Sequence, residues 1–201
     1  MNTIPDIIDA LSVSESDVDC RLRARLAAAA DDAGLLDVAY RTVDSPVGSL
    51  LLAATDRGLV RVAFAGEGHD AVLQKLAEQI SPRMLRAPAR LDAVARELEE
   101  YFLGERTSFD VPLDFRLARG FRREVLTHLP EIRYGQTWSY ATVAAAAGSP
   151  RAVRAVGTAC ATNPLPVVVP CHRVVRSDGS LGQYVGGAEA KSLLLTLEAA
   201  A

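Results

Sequence analysis

Three short segments, 38–43, 49–55 and 59–64, carry the aliphatic and β-branched pattern of strands. Two turn signals join them, Ser45-Pro46-Val47-Gly48 and Asp56-Arg57-Gly58. Links this short favour antiparallel neighbours in sequence order, a β-meander. The period then becomes helical over 69–80 and 91–103, and this first unit ends near Asp110-Val111-Pro112. Nothing in it suggests chemistry; it reads as scaffold. Ahead of it, residues 1–36 read as a helical extension. Ile4, Ile7, Ile8 and Leu11 repeat at helical spacing, as do Val18, Leu22 and Leu26. Ser14 to Asp17 forms a capping-box variant, and Gly34 can end the helix after the alanines at 27–30. The expected division is a helical extension over 1–36, an α/β domain over 37–112 and a helix-rich domain over 113–201.

About half of the 201 residues are hydrophobic, enough for a substantial core. No apolar run approaches the ~18 residues that span a bilayer, and the acidic N-terminus lacks a secretory pattern. Three cysteines, Cys20, Cys160 and Cys171, make no disulfide framework, and the scattered histidines offer no zinc spacing. The expectation is a soluble, cytoplasmic protein without a metal, with Cys20 and Cys160 as packing residues. Charge is uneven. Residues 1–113 hold 12 Lys and Arg against 19 Asp and Glu, whereas residues 114–201 hold 10 against 6. Nine of those ten cations are arginines, a side chain suited to phosphates and base edges.

The second half reads as helices over 121–129, 140–147 (capped by Ser139) and 151–160, with breaks at Tyr134-Gly135-Gln136-Thr137 and Gly148-Ser149-Pro150. The last two helices match a helix-turn-helix, a pairing also common in any α-rich domain. The run from Val167 to Val175 then sets Pro170-Cys171-His172-Arg173 between valines. Valines on both sides predict buried strands, with a nucleophile, a base and a cation at their break. Taken alone, Cys171 reads more simply as a buried core cysteine and His172 as a surface residue.

In order and spacing, the helix pair, Asn163-Pro164, Pro170-Cys171-His172-Arg173-Val174, Gly186-Gly187 and a C-terminal helix resemble the O6-alkylguanine-DNA alkyltransferases. Tyr134-Gly135-Gln136-Thr137, Ser139-Tyr140 and Arg154-Ala155-Val156-Gly157 belong to the same resemblance, which runs from about residue 121 to 198. It implies an α/β (α+β) fold with an RNase-H-like first domain and a winged-helix-like second. Cys171 would accept an alkyl group once and irreversibly, chiefly from O6-alkylguanine in duplex DNA and secondarily from O4-alkylthymine. His172 would take the thiol proton through a water, oriented by Glu198. Asn163 would be the hinge between the DNA-reading helices and the reactive turn; a plain Asn-Pro turn is its simpler role.

The resemblance also makes Arg154 a finger that fills the gap left by a flipped base, with Ala155 and Gly157 on the same DNA-facing helix. Tyr140 would turn the 3′ phosphate and assist the departing oxygen. Outside that context these two are a solvated cation and an amphipathic core tyrosine. The pocket would use the carbonyls of Cys171 and Val174, the ring of Tyr184, the amide of Val185, Lys191, and close backbone approach at Gly182, Gly186 and Gly187. Ser177-Asp178-Gly179-Ser180 reads more simply as a hairpin turn. Two departures stand out: Val185 replaces a polar residue of several relatives, and Cys160-Ala161-Thr162 lacks an arginine or asparagine many of them carry. No cofactor, membrane or obligate protein partner is implied, and a monomer is expected. Rival readings are a non-repair binder of alkylated DNA and a Cys-His-Glu hydrolase.

Overall fold

The computed structural model describes residues 15–199, in which helix α1 (Glu15–Asp32) leads into the sheet. The helix stops where the sequence indicates. Gly34 takes φ 65°, its N–H donates to the Asp31 carbonyl at 2.9 Å, and the Leu35 N–H donates to the Ala30 carbonyl at 2.8 Å. These two bonds make a Schellman motif, which needs a residue at ease in the left-handed region. Among the described side chains of α1, Ala27 is buried, while Val18, Leu22 and Leu26 are exposed. The repeat from Ile4 to Leu11 and the Ser14 cap lie outside the described residues, as does the side chain of Cys20.

The three expected strands form within a residue of their expected bounds: β1 (Val38–Val43), β2 (Leu50–Thr55) and β3 (Gly58–Phe64). They pair antiparallel in sequence order. A fourth strand, β4 (Met84–Arg86), was not anticipated and runs parallel to β1, giving the order β3-β2-β1-β4. Its three residues show no alternation. They pair because α2 (His69–Gln79) carries the chain back across the sheet. Successive β2 side chains point to opposite faces. Leu50, Leu52 and Ala54 join the main core with Val94, Leu98 and Tyr101 of α3 (Asp92–Phe102), whereas Leu51 and Ala53 pack with Val72 and Leu76 of α2.

Beyond the sheet lie α4 (Phe121–His128), α5 (Tyr140–Ala146), α6 (Val153–Ala161) and α7 (Gly187–Ala199). The Ser139 hydroxyl accepts the Thr142 N–H at 3.1 Å, the cap the sequence calls for. A short parallel ladder pairs β5 (Trp138–Ser139) with β6 (Val174–Val175). Among the described residues, no helix is long and apolar enough to cross a membrane.

One expected element is absent. Residues 167–169 are buried but form a tight turn, so the only strand in this run follows the cysteine. Val167 adopts φ 71°, and the Val169 N–H closes on the Leu165 carbonyl at 2.8 Å. Prolines at 164, 166 and 170 remove the N–H groups that a strand would need for pairing. The valines are valuable here for burial, not for β-propensity. This turn also covers the outer edge of β3. The Val62 N–H donates to the Pro164 carbonyl at 2.8 Å, and further along Leu59 bonds with Pro112 and Asp114. Covering an open edge in this way removes a template for unwanted pairing.

Candidate active site

Cys171 opens a single 3-10 turn, Cys171–Arg173, and is fully buried. Asn163 holds the turn together. Its side-chain oxygen accepts the Leu165 N–H at 2.9 Å, while Nδ2 donates to the Val169 carbonyl at 2.9 Å and to Cys171 Sγ at 3.1 Å. These bonds fit the simple turn role, in the segment that joins α6 to the Cys171 turn. Burial pushes the Cys171 thiol up to about 11, with the Asn163 N–H and the charge of Lys191 pulling the other way. At neutral pH the sulfur is therefore a thiol that needs a base.

His172, next in sequence, carries an imidazole held in a fixed orientation. Its Nε2 lies 2.8 Å from Glu198 Oε1 in a fully buried setting. An ionised carboxylate only accepts, so Nε2 carries the proton and Nδ1 is the basic nitrogen. Nδ1 is buried without a protein partner among the described residues. Burial lowers the pKa of His172 against the opposing pull of Glu198, which keeps the resting ring neutral. Glu198, in the last turn of α7, is heavily engaged. Arg173 donates to it through Nε at 2.9 Å and Nη2 at 3.0 Å, the Tyr101 hydroxyl at 2.7 Å, and the Gly135 N–H at 3.3 Å. Burial alone would raise this carboxyl, but hydrogen bonds from His172, Arg173 and Tyr101 hold it at about 2. The pair is a neutral imidazole fixed by a carboxylate that stays ionised.

The remaining expected residues fall into three places. Around the sulfur, Tyr184 is buried with its ring edge-on to Phe64 at 5.8 Å and to His172 at 6.3 Å. Lys191 is fully buried, and its Nζ donates to the Val174 carbonyl at 2.5 Å, so that carbonyl already has one partner. Tyr140 opens α5, and its hydroxyl lies where a Cβ on residue 182 would stand; Gly186 likewise lies against the Phe64 ring, and Gly187 takes φ 84°. Close approach explains the first two of these glycines, an unusual dihedral the third. Val185 instead lines a groove of about 560 Å³ together with Asn163, Pro164, Arg61, Lys75 and Arg122. On the outer face, Arg154 and Ala155 project from α6 into solvent, and Gly157 sits 4.0 Å from the Tyr140 ring where its Cβ would be. Arg122 reaches the Thr162 hydroxyl at 3.5 Å, placing a cation at the segment that lacks its own. The turn at 177–180 closes through the Arg176 N–H to the Ser180 carbonyl at 3.0 Å, with no second strand to complete a hairpin.

Sequence reasoning missed three contributors: Arg173 as a second holder of Glu198, and Tyr101 and Phe64, both from the unit read as scaffold. Arg173 stood inside the motif. Nothing in the helical spacing around Tyr101 distinguished it from an ordinary core aromatic.

Residues 120–200 match the model of the 6-O-methylguanine DNA methyltransferase DNA-binding domain, and residues 38–115 match that of its ribonuclease-like domain. A methylated-DNA–protein-cysteine methyltransferase of Mycolicibacterium paratuberculosis is 40% identical over 161 residues, covering 80% of this chain and 92% of the relative. The constitutive enzyme of that name from Bacillus subtilis is 39% identical over 160 residues, covering 79% and 94%. The O6-methylguanine methyltransferase structure from Mycobacterium tuberculosis superposes with a TM-score of 0.70 at 38% identity, covering 81% of this chain and 93% of that one. A Mycobacterium tuberculosis structure solved in complex with DNA gives a TM-score of 0.68 at 39% identity, with the same coverage. With a buried thiol, a Glu-fixed histidine and both halves matched, this chain belongs to the 6-O-methylguanine DNA methyltransferase family.

Proposed function

We propose that this chain repairs DNA by direct reversal, moving a methyl or larger alkyl group from O6-alkylguanine in duplex DNA to Cys171. O4-alkylthymine is a secondary substrate. The observation that carries the reading is the buried Cys171 thiol, bonded by Asn163 and served by a histidine whose other nitrogen is fixed on Glu198. The thiol proton passes to His172 through a water. Sulfur then bonds to the alkyl carbon as the carbon–oxygen bond breaks, and the electron pair goes to the guanine oxygen. Tyr140 hydrogen-bonds or protonates that oxygen as it leaves. The product is a thioether, so each molecule acts once, and the DNA itself supplies the alkyl group without a cofactor. A resting thiol beside a neutral imidazole suits a reaction triggered by its substrate, because no thiolate stands ready for other electrophiles.

A base inside the stack is out of reach, so the target nucleotide is flipped, and Arg154 on the exposed face of α6 occupies the gap. Tyr184, Val174, Gly186 and Lys191 line the base pocket, and Val185, whose residue borders the neighbouring groove, contributes its backbone amide to the base oxygen. Residues 37–112 act as the supporting unit and 113–201 as the DNA-reading unit, with 1–36 an extension. The protein acts as a monomer in the cytoplasm. The test uses duplex DNA carrying labelled O6-methylguanine, with methyl groups counted per protein chain. One group per chain, on Cys171, is expected, and Cys171→Ala should still bind the alkylated duplex while transferring nothing. Repeated turnover would indicate a hydrolase-like enzyme, and binding without transfer a lesion-recognition protein.

A further inference from the structure

Tyr101 is fully buried, lies in the α3 helix of the first domain, and reaches 97 residues along the chain to donate its hydroxyl to Glu198 Oε1 at 2.7 Å. Oε1 is also the oxygen that faces His172 Nε2. The tyrosine ring is held on three sides. Phe102 and Phe109 lie at 5.3 Å, and Tyr134 lies edge-on at 6.0 Å. Few rotamers are open to a hydroxyl so enclosed, and its position fixes the carboxylate oxygen beneath the imidazole.

We propose that Tyr101 is a positioning residue of the alkyl-transfer site, through which the first domain sets the orientation and basicity of His172 by way of Glu198. The inference rests on the proposed role of His172 as the base for Cys171. Each donor to a carboxylate stabilises its charge and weakens its pull on a neighbouring proton. Glu198 with the Tyr101 bond is thus a weaker partner for an imidazolium than Glu198 without it. The charged and titratable groups facing this pair are Arg173, on the Glu198 carboxylate, and Lys191, on the Val174 carbonyl. Tyr134, Tyr184 and Cys171 complete the surround. Both cations oppose protonation of His172. Among these neighbours, Tyr101 is the one neutral side chain that hydrogen-bonds Glu198, so its hydroxyl can be removed without deleting a formal charge.

The experiment follows the imidazole nitrogens of His172 by NMR across a pH titration, alongside the pH dependence of single-turnover transfer. Tyr101→Phe is expected to raise the His172 midpoint by about half a unit. The acid limb of the transfer rate should rise with it, a loss of about threefold on that limb. A 3-fluorotyrosine placed at position 101 keeps the ring and strengthens the donor, so the same midpoint should fall. This second variant retains the buried hydroxyl and guards against a Tyr101→Phe protein that fails to fold. Shifts of opposite sign support the inference. An unmoved His172 midpoint in either folded variant, or shifts of the same sign, would overturn it. The NMR readout stands apart from transfer: absence of transfer by the wild-type chain would refute the proposed repair function, while the histidine titration would still decide what Tyr101 does.

Discussion

A single amide, that of Asn163, satisfies two backbone groups and one sulfur in the reactive turn. Asn163→Ala strips all three partners at once inside a fully buried site. Unsatisfied buried groups cost ~1–3 kcal/mol each, partly relieved by relaxation. We expect Asn163→Ala to lose about 2–4 kcal/mol of stability in urea unfolding and to transfer alkyl groups far more slowly. Most of this chemistry was legible at the residue scale. Cys171, His172 and Asn163 lie within nine positions of one another, and Glu198 falls at a recognisable distance in the last helix. Tyr101 was not legible, because its meaning depends on a contact that only the tertiary fold creates. An aromatic in an amphipathic helix looks the same whether it fills space or anchors a carboxylate.

At the scale of elements, the sequence was a good guide wherever a local signal stood alone. Ser139 capped α5 and Gly34 closed α1 because a hydroxyl and a left-handed glycine each satisfy helix-end groups without outside help. The run at 167–169 failed as a strand because its valines and its prolines gave opposite instructions. Prolines prevailed, since a missing N–H cannot be supplied by burial. The short β4 was invisible for a different reason: its pairing with β1 is non-local. Helix α6 offers a clear test at this scale. Arg154 is exposed and its guanidinium has no partner among the described residues, so its removal should leave the fold alone. Arg154→Ala is expected to slow repair of duplex DNA by about tenfold or more while changing reaction with free O6-benzylguanine far less, because only the duplex requires a flipped base to be replaced. Equal losses in the two stopped assays would remove the finger role.

For the whole molecule, the buried relay makes stability depend on pH in one direction. His172 titrates lower in the folded chain than its ordinary 6.5, so below that value the unfolded chain takes up a proton that the folded chain refuses. Glu198 repeats the effect between its ordinary 4.5 and about 2. The stability contributed by these two groups is therefore complete above about pH 6.5 and falls in two stages on acidification. Urea midpoints measured from pH 7 to pH 3 should show both stages in the wild-type chain. Glu198→Gln should flatten the lower one. The same network ties the two units together, through Tyr101 on Glu198 and through the bond from Val62 to Pro164. That second contact closes one part of the β3 edge, and residues 112–114 close another. A gene cut between these units would not yield two independent proteins. The sheet would be released with an unsealed border and a bare apolar face, and the reactive turn would lose the wall it leans on. Inheritance of this chain is accordingly expected to be all or nothing: either half expressed alone should aggregate instead of acting as a smaller repair protein, as the soluble yield of each half against the whole chain would show.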